Sequence, residues 1–140
     1  MLEALARELQ DTYGTTVYII SKDLSKETAP EEIYAEVQAK GLQVDYLINN
    51  AGLGGQGAFA ERSMEIDMNL IAVNIISLTK MTKLFLPDFL KRKSGRILNV
   101  SSTAALMPGP LQAVYYASKA YVTSLSNAIW QEIQGSGVTM

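Results

Sequence analysis

Three short runs of β-branched and aromatic residues alternate along this chain with stretches whose apolar positions keep helical period. That alternation constrains the fold more than any other feature, because parallel strands need a long crossover between them, usually a helix. Leu2, Leu5, Ala6 and Leu9 predict an opening helix closed by Gly14. TTVYIIS (Thr15–Ser21) reads as a first strand, with Asp23 and Leu24 just past its end. Thr28 as N-cap, Pro30 near the first helical position and Glu31 completing a capping box predict the next helix, which Lys40-Gly41 closes. VDYLINN is a second strand and runs into the small-residue loop AGLGGQGAF. From about Ser63 to Leu90 helical period returns at Ile66, Leu70, Val73, Leu78, Met81, Leu84 and Phe85, with a kink or restart expected at Pro87. RILNVSS is a third strand, TAALMPGPLQ a flexible loop, and a last helix spans about Ala113 to Ile133. Val138-Thr139-Met140 looks like the opening of one more strand. The expected class is α/β, one domain over residues 1–140, built on a parallel sheet with helices on both faces. Ligands of such sheets bind at the carboxyl ends of strands. That singles out Asp23, Asn49 with Asn50, and Ser101 with Ser102.

Composition narrows the chemistry. There is no cysteine and no histidine, which removes disulfides, thiol nucleophiles, Ser-His-Asp hydrolysis and nearly every transition-metal cage; no metal site is expected. A formal net charge of -2 gives no electrostatic case for nucleic acid. No apolar run reaches the ~20 residues of a membrane span. MLEALARELQ has the pattern of an amphipathic helix and not of a secretory leader, so a cytoplasmic protein is expected. The chemistry must then come from Ser, Tyr, Lys, Asn, Asp or Glu.

Gly52, Gly54 and Gly57 fit G-x-G-x-x-G after a strand, but no helix opens on the last glycine and the next strand is far away. The stretch reads as a flexible loop flanking a ligand and not as a pyrophosphate loop. Tyr115 and Lys119 lie one helical turn apart on one face. An ammonium there stabilises phenolate relative to phenol, so the tyrosine can give a proton to an alkoxide or take one from an alcohol. Ser102 ends a strand shortly before Tyr115 and can hydrogen-bond a carbonyl oxygen, with Ser101 as a competing assignment. Asn74 stands in a helix otherwise filled with Ile, Val and Leu; its amide holds either a water or a neighbouring backbone group.

Taken together, NNAG (Asn49–Gly52), Asn74, RILNVSS and YYASK (Tyr115–Lys119) resemble the short-chain dehydrogenase/reductase family, in order and spacing, across essentially the whole chain. The resemblance implies a doubly wound, Rossmann-like sheet and hydride transfer between NAD(P)(H) and a small-molecule ketone or secondary alcohol, with NADP favoured. It implies Tyr115 as general acid/base and Lys119 as holder of the nicotinamide ribose. Ser102 would orient the carbonyl, and Asn74 would hold a proton-relaying water. Asp23 and Leu24 would flank the adenine, with Asn50, Ala51 and Gly52 along the ribose side. The 3-ketoacyl-thioester reductase and hydroxysteroid dehydrogenase branch is the most similar, and a homodimer or homotetramer through the two long helices is implied.

The same resemblance implies an incomplete sheet, without the first two strands, the phosphate-binding loop and the C-terminal strands. In that family's strand order Thr15–Ser21 and VDYLINN are not neighbours, so a fragment that does not fold stably alone is expected. Two alternatives are a truncated, non-catalytic remnant that binds no cofactor, and a receiver-like signalling domain, for which only Asp23 stands near a phosphoacceptor position.

Overall fold

The computed structural model describes residues 2–140. Its elements are α1 (Leu2–Tyr13), α2 (Ala29–Ala39), β1 (Tyr46–Asn49), α3 (Met64–Ile71), a π-helical segment (Ala72–Ser77), α4 (Leu78–Arg92), β2 (Gly95–Asn99), a 3₁₀ turn (Thr103–Leu106), α5 (Ala113–Glu132) and β3 (Val138–Thr139). The three strands form one parallel sheet in the order β1-β2-β3, with Asn49 level with Asn99. Each β-to-β connection carries a helix, as a parallel ladder requires.

One face of the sheet is covered. Leu47 and Ile97 point into a core with Val37, Phe85, Phe89, Ile133 and Val138, and Phe89 is fully buried. Tyr34 meets Phe85 edge to face at 5.0 Å, which joins α2 to α4. The alternate residues Tyr46, Ile48 and Leu98 are exposed, so the opposite face is bare.

Several sequence expectations are corrected. Thr15–Ser21 makes no strand: it is irregular, and its Val17–Ile20 share a hollow with α1, because among the described residues nothing lies beside it to complete a ladder. Thr28 does not cap through a box with Glu31. It is already helical (φ -88°, ψ -11°), and its hydroxyl donates to Glu32 at 2.7 Å while Glu31 pairs with Lys80. No restart occurs at Pro87, which α4 carries inside it. The irregularity lies upstream, where Ala72–Ser77 is wound as a π-helix. The stretch Met64–Arg92 is also long and apolar enough, by length and composition, to cross a membrane. Its Leu70, Phe85 and Phe89 are core residues here. Gly14 and Gly41 close their helices as expected, both at φ +63°.

Candidate active site

Parallel pairing of β1 and β2 puts Asn50–Gly52 and Val100–Ser102 side by side at the carboxyl end of the sheet. The register is held by side chains as well as by the ladder. Asn49 Nδ2 donates to Asn99 Oδ1 (2.8 Å) and to Thr82 Oγ1 (3.1 Å), and Asn99 Nδ2 donates to Ser126 Oγ (3.0 Å). Asn49 is therefore committed to the framework, which leaves Asn50 as the residue of that pair open to a ligand.

The amino half of α5 crosses this end. Ser101 settles the crossing: its Oγ donates to the Lys119 carbonyl (3.0 Å) and lies 2.6 Å from Thr123 Oγ1. Ser102 is different. Its Oγ accepts from Ala104 N (3.1 Å), capping the 3₁₀ turn, and this use of a lone pair leaves the hydroxyl proton available. Lys119 is 6% exposed, and its Nζ donates to the Val100 carbonyl at 2.8 Å while lying 6.0 Å from the centre of the Tyr115 ring. An ammonium carries three donors. Among the described residues Val100 takes one of them, and the Tyr115 hydroxyl has no partner.

Asn74 is 1% exposed inside the π-helical segment. Its Oδ1 accepts from Leu53 N (2.8 Å), and its Nδ2 donates to Leu53 O (2.8 Å) and Ser118 Oγ (3.0 Å). Ser118 in turn donates to the Tyr115 carbonyl (2.7 Å). Both amide N–H groups are thus donated to protein, one to the Leu53 backbone and one to the Ser118 hydroxyl. The glycine-rich loop is consequently laid over α5. A Cβ at Gly52 would lie 3.5 Å from both Asn74 Oδ1 and Lys119 Nζ, and one at Gly54 would lie 3.9 Å from the Tyr115 ring. No helix opens on Gly57, in line with the rejection of a pyrophosphate loop.

A hollow of about 110 Å³ at the end of β1 is lined by Leu24, Asn50, Ala51 and Ser77 among others. Ser77 is buried and among the described residues its hydroxyl has no partner, an orphan that a polar ligand at this hollow could satisfy. Asp23 stands apart. Both bonds it accepts from Ser25 go to Oδ1 (2.9 and 2.8 Å), an arrangement that holds its carboxyl below the usual aspartate range. A cleft of about 460 Å³ between α2 and α4, lined by Gln38, Asp88 and Arg92, sits at the amino ends of the strands. It is remote from the Tyr115–Lys119 pair.

Sequence reasoning missed Ser118, Ser77 and the Asn49–Asn99 pair. Ser118 had a signal: a small hydroxyl three residues after Tyr115, on the turn facing the Asn74 helix. The open donors of Lys119, the cradle at Gly52 and the orphaned Ser77 fit a dinucleotide with ribose hydroxyls and a flat base.

Comparison with known proteins agrees with this geometry. A family model described as short chain dehydrogenase matches residues 1–140. The human (Homo sapiens) 17-beta-hydroxysteroid dehydrogenase type 3 is 39% identical over 98% of this chain and 44% of that protein. The very-long-chain 3-oxoacyl-CoA reductase of Anas platyrhynchos is 34% identical over 98% and 45%. The chain thus spans a little under half the length of the curated relatives it matches. A short-chain dehydrogenase from Sphingobium yanoikuyae, solved in complex with NADPH, superposes with a TM-score of 0.90 at 30% identity, over 98% of this chain and 53% of that one. A structure from a study of 7beta-hydroxysteroid dehydrogenase stereoselectivity gives a TM-score of 0.91 at 28% identity, over 98% and 52%. With the family model matched from end to end, this chain belongs to the short chain dehydrogenase family, a family of oxidoreductases with a Rossmann-like fold.

Proposed function

We propose that the protein catalyses hydride transfer between NAD(P)(H) and a ketone or secondary alcohol, the reduced form with the ketone and the oxidised form with the alcohol, with Tyr115 moving the proton. The observation that carries this is the Tyr115 phenol, without a hydrogen-bond partner among the described residues, set one turn from the buried Lys119 ammonium and facing the glycine-rich loop. When bound, the dinucleotide supplies the hydride. The chain's own groups do the rest. The Tyr115 hydroxyl gives its proton to the carbonyl oxygen as negative charge develops there, and the Lys119 ammonium stabilises the phenolate left behind. The free proton of Ser102 hydrogen-bonds that same oxygen and orients the carbonyl. Lys119, with donors left beyond the one given to Val100, would hold the ribose hydroxyls, with Asn50, Ala51 and Gly52 along that side. Leu24 and Ser77 bound the hollow at the end of β1, and Asp23 and Leu24 would flank the adenine of the bound dinucleotide.

Asn74 acts in this scheme by holding Leu53, and with it the loop. A carbonyl carried on an apolar skeleton is the substrate class that the names of the relatives suggest, and the exposed Leu106, Met107 and Leu111 beside the site suit it. NADP is the cofactor we favour, and pairing of two copies through the exposed Tyr121 and Trp130 of α5 the assembly. In the full-length protein, Tyr115→Phe is expected to lower kcat by about 10²–10⁴-fold, the usual worth of a positioned acid/base, while the NADPH Kd stays within about twofold. Equal loss of both in fluorescence titration and steady-state kinetics would count against this role for Tyr115.

A further inference from the structure

Arg62 stands just before α3 with its side chain 10% exposed. Its Nε donates to Asp67 Oδ1 at 2.8 Å, and its Nη2 lies 2.8 Å from the same oxygen without hydrogen-bond geometry. Asp67 is 6% exposed. A desolvated pair of this kind adds little net stability, because stripping both charges of water offsets their attraction. Its other side explains it better. The Arg62 side chain runs beneath the glycine-rich loop: a Cβ at Gly55 would overlap the guanidinium, and one at Gly57 would come within 3.1 Å of Cγ. Gly57 (φ +151°) donates its N–H to the Leu111 carbonyl at 2.8 Å, and Leu111 is itself left-handed at φ +64°. Gly54 lies across the Tyr115 ring, and Leu111 enters the turn that opens α5.

We propose that Arg62 is a positioning residue: pinned by Asp67, it is the support on which Leu53–Gly57 is set against the Tyr115 phenol, with Asn74 gripping the loop's other end. This rests on the reading of Tyr115 as the proton donor. The test compares Arg62→Met, Arg62→Lys and Gly55→Ala in the full-length protein, by kinetics with NADPH and by amide hydrogen exchange. Arg62→Met is expected to lower kcat per folded site about tenfold, the scale set by sub-ångström misplacement of reacting groups, with the NADPH Kd nearly unchanged. Arg62→Lys, which keeps stem and charge, recovers most of that loss. Gly55→Ala, which pushes the guanidinium aside, reproduces it. Exchange at Leu53–Gly57 quickens in Arg62→Met and Gly55→Ala, while the α5 core around Val122 stays protected. Parent-like kcat and parent-like loop exchange in both variants would overturn the proposal. A parent protein with no turnover would sink the reductase reading, and loop exchange alone would then decide whether Arg62 sets the loop.

Discussion

Ser101 and Ser102 are adjacent and chemically identical, yet their surroundings give them different work. Ser101 is used up between Thr123 and the Lys119 carbonyl, whereas Ser102 caps a turn with a lone pair and keeps its proton. Ser101→Ala is accordingly expected to cost about 1 kcal/mol of stability, the net worth of a partly buried hydrogen bond, with kcat near the parent value. Ser102→Ala should do the reverse and lower kcat/KM for carbonyl reduction by about 10²-fold, the loss seen when an oxyanion donor is removed. Urea melts and steady-state kinetics on the two variants check both. The motif RILNVSS shows that a hydroxyl ends the strand. Which of the two keeps its hydroxyl proton uncommitted depends on residues about twenty positions later in the chain.

Among the elements, the Met64–Arg92 helix touches both core and site. Its π-helical segment turns Asn74 toward Leu53 and Ser118, while its α4 half joins α2 through Tyr34 and Asp88. The Tyr34 hydroxyl donates to Asp88 Oδ2 at 2.9 Å, and Gln38 Nε2 donates to the same oxygen at 3.1 Å. That hydrogen bond, helped by burial and the Asp88 charge, raises the Tyr34 pKa above the ordinary tyrosine value. A folded-state pKa above the unfolded one contributes stability that is complete below the unfolded value of about 10 and is lost as pH rises through the raised one. Tyr34→Phe is therefore expected to be about 1 kcal/mol less stable than the parent at neutral pH. The difference should shrink as the parent titrates on the alkaline side. Urea midpoints measured from neutral pH upward test this, and a gap that stays constant would show that Asp88 does not hold the phenol.

At the scale of the whole molecule, the sheet is unusual in being covered on one face only. Parallel sheets ordinarily bury both faces, and here Tyr46, Ile48 and Leu98 are 63%, 60% and 56% exposed. The 140-residue chain by itself is therefore expected to bind a hydrophobic dye such as ANS, to associate as its concentration rises, and to melt without a sharp transition. A cooperative calorimetric transition with no dye binding would show that this face is stable in water as it stands. The fold class, the rough placement of the helices, the glycine stops and the Tyr115–Lys119 spacing were legible in the sequence, because period and i,i+4 spacing are local information, whereas the π-helical segment and the unbroken passage through Pro87 were not. Thr15–Ser21 misled for the same reason: β-propensity is written in the segment, but a strand also needs a neighbour to hydrogen-bond, and none lies beside it. The family resemblance was legible in four short motifs. Tertiary structure alone decided that Ser102 keeps a free proton, that Asn74 grips Leu53, that Asn49 belongs to the framework, and that Arg62 underlies the loop. Each of these is a choice of hydrogen-bond partner or contact made in space, some between residues as far apart as Asn74 and Ser118, and no pattern along the chain encodes it.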